Sequence, residues 1–349
     1  MTPSIPLSLV GLLIVLLSPA SSQTIDASVK DLSNKNADFA ARLYRAVASR
    51  TDDNIFLSPL TVSAGLLALL SATNGPTQDQ LLQGLTLTGL DPQTIPDVFQ
   101  TLMNVSQENG KAYMQQGVAV LPSQSFTVSS SYRDLVQTKF EGNTQSLAYT
   151  SPFEAIDTIN RWVEEQTGNR VRELVSTIDP QTQLLIATAT SFQTQFRTTF
   201  NSSTTQDERF VVDKYHIVMV PMMFGSDKYF LAYDRSVKAG VLKLPMAGGA
   251  AMLVVLPDED VDITSVEEEV TGEKVRGWIQ QLKKTKLEVQ FPRFKLQQSY
   301  SLKNVLQTLD ITQVFEDDAD TSNMTGAKGP KLTQVSKEAP EQTLKLETN

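Results

Sequence analysis

The sequence contains no cysteine and a single histidine among its 349 residues. The absence of cysteine excludes disulfides and thiolate chemistry. One histidine and no cysteine are also too few ligands for a structural zinc site. A Ser-His-Asp site would need His216 to be oriented by an acid and to contact a nucleophile. Its surroundings, beside Ile217 and Val218, read as a strand and contain no nucleophile elbow. We therefore predict that the chain is not an enzyme, has no catalytic residues, and uses no metal or cofactor.

Long apolar runs are also missing beyond the N-terminus, so no transmembrane segment is predicted. The run from Leu7 to Leu17 is too short to span a bilayer comfortably, and Ala20-Ser21-Ser22 supplies small residues for cleavage. Residues 1–22 are therefore predicted to be a signal peptide, and the mature protein is predicted to be secreted and extracellular. A cysteine-free chain fits this prediction, because secreted domains need disulfides mainly when they are too small to bury a core.

Positive charge is scarce, with 30 Lys and Arg against 39 Asp and Glu and a formal net charge of -9. This balance disfavours nucleic acid as a partner, since such binding relies on neutralising phosphates. One short basic cluster is interpreted as a solvated helix end leading into a strand, with a heparin-like polyanion as the alternative partner. It comprises Lys274, Arg276, Lys283, Lys284 and Lys286.

Three Asn-X-Ser/Thr triplets are present, and in a secreted protein such triplets are acceptors for N-linked glycans. They begin at Asn104, Asn201 and Asn323. Asn201 and Asn323 lie in polar, loop-like stretches and are the better candidates.

With 40% apolar and 20% charged residues, the composition is that of a globular chain. No repeat, linker or charge block divides residues 23–335, which are predicted to form one domain. Helices are predicted over Asp31–Ser49 and from Ser151 to about Leu174, with a weak point at Gly168. Strands are predicted over Ala112–Leu121, Gln183–Phe192, Ile217–Phe224, Lys228–Tyr233, Val237–Pro245, Ala250–Pro257 and Lys286–Phe291. Helices first and strands later, without regular alternation, indicate an α+β domain with large mixed sheets.

One segment near the N-terminal end of this domain has an informative order. An apolar strand, Ile55–Leu57, is predicted to lead into Ser58-Pro59 and then a helix, because proline is tolerated in a first helical turn. Asn74-Gly75-Pro76 breaks this helix. Thr77 is predicted to cap the next helix, with Gln80 three residues on as in a capping box.

This order, preceded by Asn54, resembles the signature of the serpins, a family of serine protease inhibitors. Other stretches resemble the family and follow its order: Asn36–Ser49, Ile159–Leu174, Val220–Phe224, Val241–Asp260, Phe291–Leu296 and Tyr300–Phe315. The resemblance implies the serpin fold, with mixed large β-sheets and about eight to nine helices. It also implies inhibition of serine-type endopeptidases, in which a cleaved loop inserts as a new strand of the main sheet.

The resemblance assigns two sets of site residues around that sheet. Beneath its centre, in a shutter-like position, it places Asn54, Ser58, Pro59 and Thr61. Near the point of loop entry, in a breach-like position, it places Thr188 and Phe196, where the family usually has Asn and Trp. Phe keeps the aromatic ring of Trp but loses its N–H donor.

A partner protein is also implied. The stretch Phe210–Phe230 is most similar to a coagulation-related branch of the family that works with a cofactor protein. Asp213 and Tyr215 match its cofactor contact, and Glu268 stands where that branch has Asp. The alternative interpretation is that Asp213 and Tyr215 only lead into a strand.

The residues after Val335 depart from the family pattern. The resemblance implies a hinge rich in Glu, Gly, Thr and Ala, then an exposed loop with a scissile bond, but the sequence continues SKEAPEQTLKLETN. Pro340 has no backbone N–H to donate to a neighbouring strand, and burying an unpaired Lys337 would cost free energy. Residues 336–349 are therefore expected to be a divergent tail at the surface. The sequence therefore predicts no reactive-site bond and no inhibition by this chain itself. The alternative is a non-inhibitory serpin-like protein that binds a cofactor or a surface.

Overall fold

Two β-sheets and the helices packed on them organise the chain. The computed structural model describes residues 12–16, 26–51, 53–107, 113–198, 200, 202–212, 215–327 and 329–343. Within these residues the α-helices are α1 (Ala27–Ala48), α2 (Pro59–Ala72), α3 (Gly75–Gly84), α4 (Ile95–Gln107), α5 (Ser130–Phe140), α6 (Pro152–Gln166), α7 (Ile263–Glu269), α8 (Gly272–Gln281), α9 (Lys303–Gln307) and α10 (Ser322–Thr325). The two shortest, α9 and α10, bring the count above the eight to nine that the resemblance implied.

The strands form one five-stranded and one six-stranded sheet. They are β1 (Leu12–Leu16), β2 (Tyr113–Pro122), β3 (Asn143–Thr144), β4 (Leu184–Gln193), β5 (Gln206–Val211), β6 (Ile217–Asp234), β7 (Ala239–Pro245), β8 (Ala251–Pro257), β9 (Lys283–Pro292), β10 (Lys295–Ser301) and β11 (Gln334–Thr343). The main sheet has the order β10-β11-β4-β2-β3 and is mixed, because β4 pairs parallel with β11 and antiparallel with β2. The second sheet has the order β1-β8-β7-β6-β5, with β9 also paired to β6. The predicted α+β fold with large mixed sheets is confirmed.

From Leu184 to Thr190, strand β4 is buried on both faces, and its apolar residues alternate between two cores. Leu184 and Ile186 belong to the large cluster that contains α2, whereas Leu185 and Ala187 belong to the cluster that contains α6. This alternation follows from the two-residue period of a strand. It also explains why the first half of β4 reads as a continuous apolar run, since neither face meets water.

Several predicted boundaries differ from the structure. Helix α6 ends at Gln166 rather than near Leu174, because Gly168 and Asn169 adopt positive φ angles of 60° and 62°. The segment Ile55–Leu57 is not a strand. The two strands predicted over Ile217–Phe224 and Lys228–Tyr233 are one continuous strand, β6. Strands β5 and β10 were not predicted.

The predicted capping box at Thr77 is wrong, because α3 already begins at Gly75. Both polar side chains instead hold a distant segment of the chain. Thr77 Oγ1 accepts a hydrogen bond from the Asp320 backbone N–H at 3.0 Å, and Gln80 Oε1 accepts one from the Thr312 N–H at 2.8 Å. These bonds replace a local cap with contacts across about 240 residues of sequence separation, which only the folded chain can create.

The segment expected to be a surface tail instead continues a central strand. Residues 336–343 belong to β11, which lies between β4 and β10. Pairing with β4 ends at Glu338, and the register with β10 shifts between Leu296 and Gln298, opposite Pro340. Proline is tolerated at such a bulge, where a regular ladder bond is already lost.

Candidate functional site at the centre of the main sheet

The parallel pairing of β4 with β11, here called the seam, is short. It runs from Leu185 opposite Gln334 to Ala189 opposite Glu338. By contrast, the pairing of β4 with β2 covers the whole of β4 up to Gln193. Beyond the seam both strands therefore continue without pairing to each other, in the part of the chain that the structure describes. A parallel ladder is also slightly less stable per residue than an antiparallel one.

Helix α2 lies against the middle of β4 at close range. A Cβ atom placed on Gly65 would be 2.6 Å from Thr188 Cγ2 and 3.1 Å from Ile186 Cγ2. No side chain larger than hydrogen fits there without a shift of the helix or the strand. The helix is thus held directly beneath the strand that borders the seam.

Three hydroxyl groups connect the start of α2 to β4, and we call Ser58, Thr61 and Thr190 the hydroxyl cluster. Ser58 Oγ lies 2.9 Å from Thr61 Oγ1, and Thr61 Oγ1 also hydrogen-bonds Thr190 Oγ1. Thr61 and Thr190 are buried. Ser58 is the N-cap residue of α2 but its side chain makes no capping bond, because the hydroxyl is directed to Thr61 instead.

Further polar atoms are buried around this cluster without a hydrogen-bond partner among the described protein groups. They are Thr188 Oγ1, two residues before Thr190 in β4, and Gln116 Oε1, directly opposite Thr190 in the sheet. A buried polar group left unpaired costs about 1–3 kcal/mol. The closed sheet therefore carries an unfavourable polar layer at its centre, beneath the seam.

The shutter-like residues are only partly brought together. Ser58 and Thr61 belong to the hydroxyl cluster, and Pro59 is the first residue of α2. Asn54 is exposed, and no hydrogen bond joins it to the cluster within the described residues.

The two breach-like residues lie in different environments. Thr188 is buried in the middle of β4, beside Gly65. Phe196 follows the strand and packs in the core of the second sheet, with ring centroids 5.6 Å from Phe200 and 6.2 Å from Phe291. At about 3.3 Å per residue, the end of β4 already lies about 17 Å from Thr188. The structure therefore groups Thr188 with the hydroxyl cluster rather than with Phe196.

Sequence reasoning missed Gly65, Gln116 and Thr190. A signal for Thr190 was present, since residues two apart in a strand share a face and Thr188 had already been singled out. Gly65 lies within an apolar helix and gave no signal, because the close approach depends on where β4 lies.

Tyr215, one of the predicted partner-binding residues, lies on a strongly exposed hairpin. Its side chain is 78% exposed, and around it other large apolar residues are also exposed, forming what we call the hairpin patch: Val211, Val212, Ile217, Val218 and Met219. Glu268 is exposed on α7, and Asp213 lies outside the described residues. His216 is exposed in the same turn, where its carbonyl accepts a hydrogen bond from the Val212 N–H.

The predicted glycan acceptors have different surroundings. Asn104 is exposed on α4, and Asn323 is exposed on α10 with its amide nitrogen donating to the Thr73 carbonyl at 3.0 Å. Asn201 lies outside the described residues.

Two residues of the basic cluster form ion pairs with acidic side chains. Lys274 Nζ lies 3.1 Å from Glu269 Oε2, and Arg276 pairs with Asp38 at 3.4 Å. Lys283, Lys284 and Lys286 are exposed on β9, directly after α8 ends.

An open cavity of about 690 Å³ lies between α8 and the turn that joins β6 to β7. Trp278 Nε1 donates to Asp234 Oδ2 at 2.7 Å at its wall. Burial acts to raise the pKa of Asp234, but hydrogen bonds from Ser236 and Trp278 outweigh it and hold that pKa below its ordinary value. Among the described residues, no group of three potential metal ligands is found, and no helix is both long and apolar enough to cross a bilayer.

The comparisons of this chain with known proteins agree with one another. A family model described as "Serpin (serine protease inhibitor)" matches residues 34–342. Protein Z-dependent protease inhibitor from Mus musculus is 29% identical over 310 residues, covering 88% of this chain and 69% of the relative. Thyroxine-binding globulin from Ovis aries is 30% identical over 339 residues, covering 96% and 81%. The crystal structure of mouse protein Z-dependent protease inhibitor superposes with a TM-score of 0.86 at 28% identity, covering 90% of this chain and 87% of that one.

Proposed function

This chain belongs to the serpin family, and we propose that the function behind its fold is the inhibition of serine-type endopeptidases outside the cell, with coagulation proteases as the first candidates, although these 349 residues do not inhibit by themselves. Its similarity to relatives named protein Z-dependent protease inhibitor supports the choice of targets. The apolar N-terminal run and the triplets at Asn104, Asn201 and Asn323 support secretion.

The short seam is the observation that carries this proposal. Past Ala189 and Glu338 the facing edges of β4 and β11 are not paired with each other. A strand entering between them would form ladders with both neighbours, which is the way an extended segment adds to a sheet. Insertion would then have to separate only the five residue pairs of the seam, Leu185–Ala189 with Gln334–Glu338.

The hydroxyl cluster supports the same function. Moving β4 away from β11 requires β4 to slide over α2, and this contact includes hydroxyl groups as well as apolar side chains. Hydroxyl groups can exchange one hydrogen-bond partner for another during such a movement. The unpaired atoms of Thr188 and Gln116 would gain the chance of a partner when the sheet rearranges.

The sequence after Val335 limits what these 349 residues do by themselves. They contain no stretch with the composition of a hinge followed by an exposed scissile loop. We therefore expect that incubation with trypsin, thrombin or factor Xa yields no complex that survives SDS. The measurement is denaturing gel electrophoresis, with an established inhibitory serpin run in parallel as the positive control. A covalent complex with this chain would contradict our assignment of its C-terminal residues.

A second candidate function is binding of a cofactor protein without inhibition, and the hairpin patch favours it. An exposed tyrosine among exposed apolar residues is typical of a protein-binding surface. The relatives named protein Z-dependent protease inhibitor suggest protein Z as the partner. Polyanion binding at Lys283, Lys284 and Lys286 is a weaker alternative for the same candidate function.

We expect Tyr215→Ala to weaken binding to protein Z at least tenfold, because the change removes a large apolar and hydrogen-bonding side chain from the surface. Surface plasmon resonance with immobilised protein Z would measure the dissociation constant. Tyr233→Ala is the matched control, since Tyr233 is 49% exposed but lies at the opposite end of β6. Equal affinities for Tyr215→Ala and the unaltered chain would remove the hairpin patch from consideration.

A further inference from the structure

The corner between α2 and α3 contains the dipeptide Asn74-Gly75. In an Asn-Gly sequence the backbone nitrogen of glycine can attack the side-chain amide carbon of asparagine, because glycine has no side chain to hinder the approach. Gly75 is exposed, and a Cβ atom placed on it would meet no other part of the chain within 4 Å. Its N–H lies in the first turn of α3, where the helix offers it no acceptor. The nucleophile of this reaction is therefore accessible.

The side-chain amide of Asn74, by contrast, is held by α10. Asn74 is the N-cap residue of α3 but makes no capping bond, and its Nδ2 instead donates to Ser322 Oγ and to Asn323 Oδ1, each at 2.8 Å. In return, Asn323 Nδ2 donates to the Thr73 carbonyl at 3.0 Å. We call these three hydrogen bonds the corner link. It joins the end of α2 to the segment that leads into β11.

We propose that Asn74 is a site of spontaneous deamidation, and that the corner link restrains the reaction in the folded chain. In the first step the Gly75 nitrogen forms a bond to Asn74 Cγ, the bond from Cγ to Nδ2 breaks, and ammonia leaves with the proton of the Gly75 N–H. Water then opens the succinimide ring to leave aspartate or isoaspartate at position 74. The corner link opposes the first step because it directs the Asn74 side chain to α10. This inference does not depend on the inhibition of proteases.

The aspartate product would change the hydrogen bonding at this corner. A carboxylate only accepts hydrogen bonds, so it cannot keep the bond to Asn323 Oδ1, which is also an acceptor. Aspartate is also a preferred N-cap residue, and its charge is favourable beside the unpaired N–H groups at the start of α3. Deamidation would therefore convert a link between two distant segments into a local cap, and α10 would lose its hold on the corner.

Peptide mapping by mass spectrometry tests the reaction at Asn74, in the full chain made in bacteria so that Asn323 carries no glycan. One sample is incubated folded in mildly alkaline buffer and another in the same buffer with urea. We expect aspartate and isoaspartate to form at position 74 in urea, and to form about tenfold or more slowly in the folded chain, because reaction there needs local opening of the corner. Equal rates in both samples would overturn the role of the link. No product in urea would overturn the site.

Asn323→Ala isolates the corner link, since it removes one acceptor for Asn74 Nδ2 and the donor to the Thr73 carbonyl. Asn74 should deamidate several-fold faster in this folded variant than in the unaltered chain, with equal rates in urea. Ser322→Ala removes the other acceptor and serves if circular dichroism shows that Asn323→Ala does not fold. The matched control is Asn143→Ala, because Asn143 is exposed on β3 and takes no part in the link. Folded-state rates that do not differ between link variants and control would contradict the proposal.

Asn74→Asp reproduces the aspartate product and tests its effect on α10. Hydrogen exchange at Asp320–Met324 should become about tenfold faster, because the segment is no longer tied to the corner. Asn143→Asp adds the same charge on β3 and should leave this exchange unchanged. Unchanged exchange in Asn74→Asp would show that deamidation leaves α10 in place.

Discussion

A peptide with the ten-residue sequence of β4, LLIATATSFQ, is expected to raise the melting temperature of the protein when added in excess. It can pair with β4 on one side and with β11 on the other, and its alternation places apolar and small residues toward the same two cores that β4 itself contacts. A ligand at 100 times its dissociation constant stabilises the bound state by about 2.7 kcal/mol. For a domain of more than 300 residues, with an unfolding entropy of about 2.1 cal/mol/K per residue, that corresponds to about 4 °C, measurable by circular dichroism or scanning calorimetry.

A control peptide with proline in place of the threonine at its fifth position differs at one residue and lacks a ladder donor in the middle of the strand, so it should raise the melting temperature far less. The site can be located by hydrogen exchange, with added protection on the facing edges of Thr190–Gln193 and Ala339–Thr343, where the seam has ended. Equal stabilisation by both peptides would indicate non-specific association. No stabilisation by either would remove the structural basis of the proposed inhibition.

Replacing Gly65 by alanine is expected to lower the free energy of unfolding by about 1–3 kcal/mol, as overpacking of a filled core does. The added methyl group would lie 2.6 Å from Thr188 Cγ2, so α2 and β4 must move apart. This effect opposes the ordinary gain of up to about 1 kcal/mol from Gly to Ala within a helix. Urea unfolding monitored by tryptophan fluorescence would measure the difference.

Gly277→Ala is the matched control on helix α8. The nearest atom to a Cβ at Gly277 is Gln281 Nε2 at 4.0 Å, so there the helix-propensity gain should appear alone and the protein should become more stable. Combining Gly65→Ala with Thr188→Ser removes the conflicting Cγ2 methyl and should recover part of the loss. If both glycine variants were stabilised alike, the close approach of α2 to the sheet would be wrong.

These two predictions concern the same contact from its two sides. The peptide acts on the seam between β4 and β11, and Gly65→Ala acts on the support beneath β4. A variant that forces β4 away from α2 should also change how readily the peptide binds. The peptide titration on Gly65→Ala would therefore report whether the helix contact and the seam are coupled.

Much of the fold could be predicted from the sequence because its signals are local. The proline at the first turn of α2 acts through backbone geometry within a few residues, and so does Gly168, which was marked as a weak point although the end of α6 was placed too late. The apolar runs of β4, β7 and β8 were recognised for the same reason. Where prediction failed, the deciding contact was remote: Thr77 and Gln80 bond to the segment around Thr312–Asp320, not to their own helix.

The residues of the candidate site also divide into those found from local sequence and those that only the fold brings together. Ser58 and Thr61 were identified from their motif, but Thr190, Gln116 and Gly65 entered the site only because β4 lies over α2. For residues 336–343 the local signal was misleading, because Pro340 led us to predict that this segment is not a central strand. The edges of β4 and β10 nevertheless give that segment its hydrogen-bond partners, and a bulge accommodates the proline.

The order of amino acids thus determined by itself most of the helical and extended segments, the family to which the chain belongs, and the lack of any residue set for thiol or zinc chemistry. Only the tertiary structure decided how far the seam extends, which hydroxyl groups meet beneath it, and which residues of α10 hold the side chain of Asn74. The physical reason is that propensity and capping act over a few neighbouring residues. Strand pairing and close packing depend on groups that are far apart in the chain until it folds.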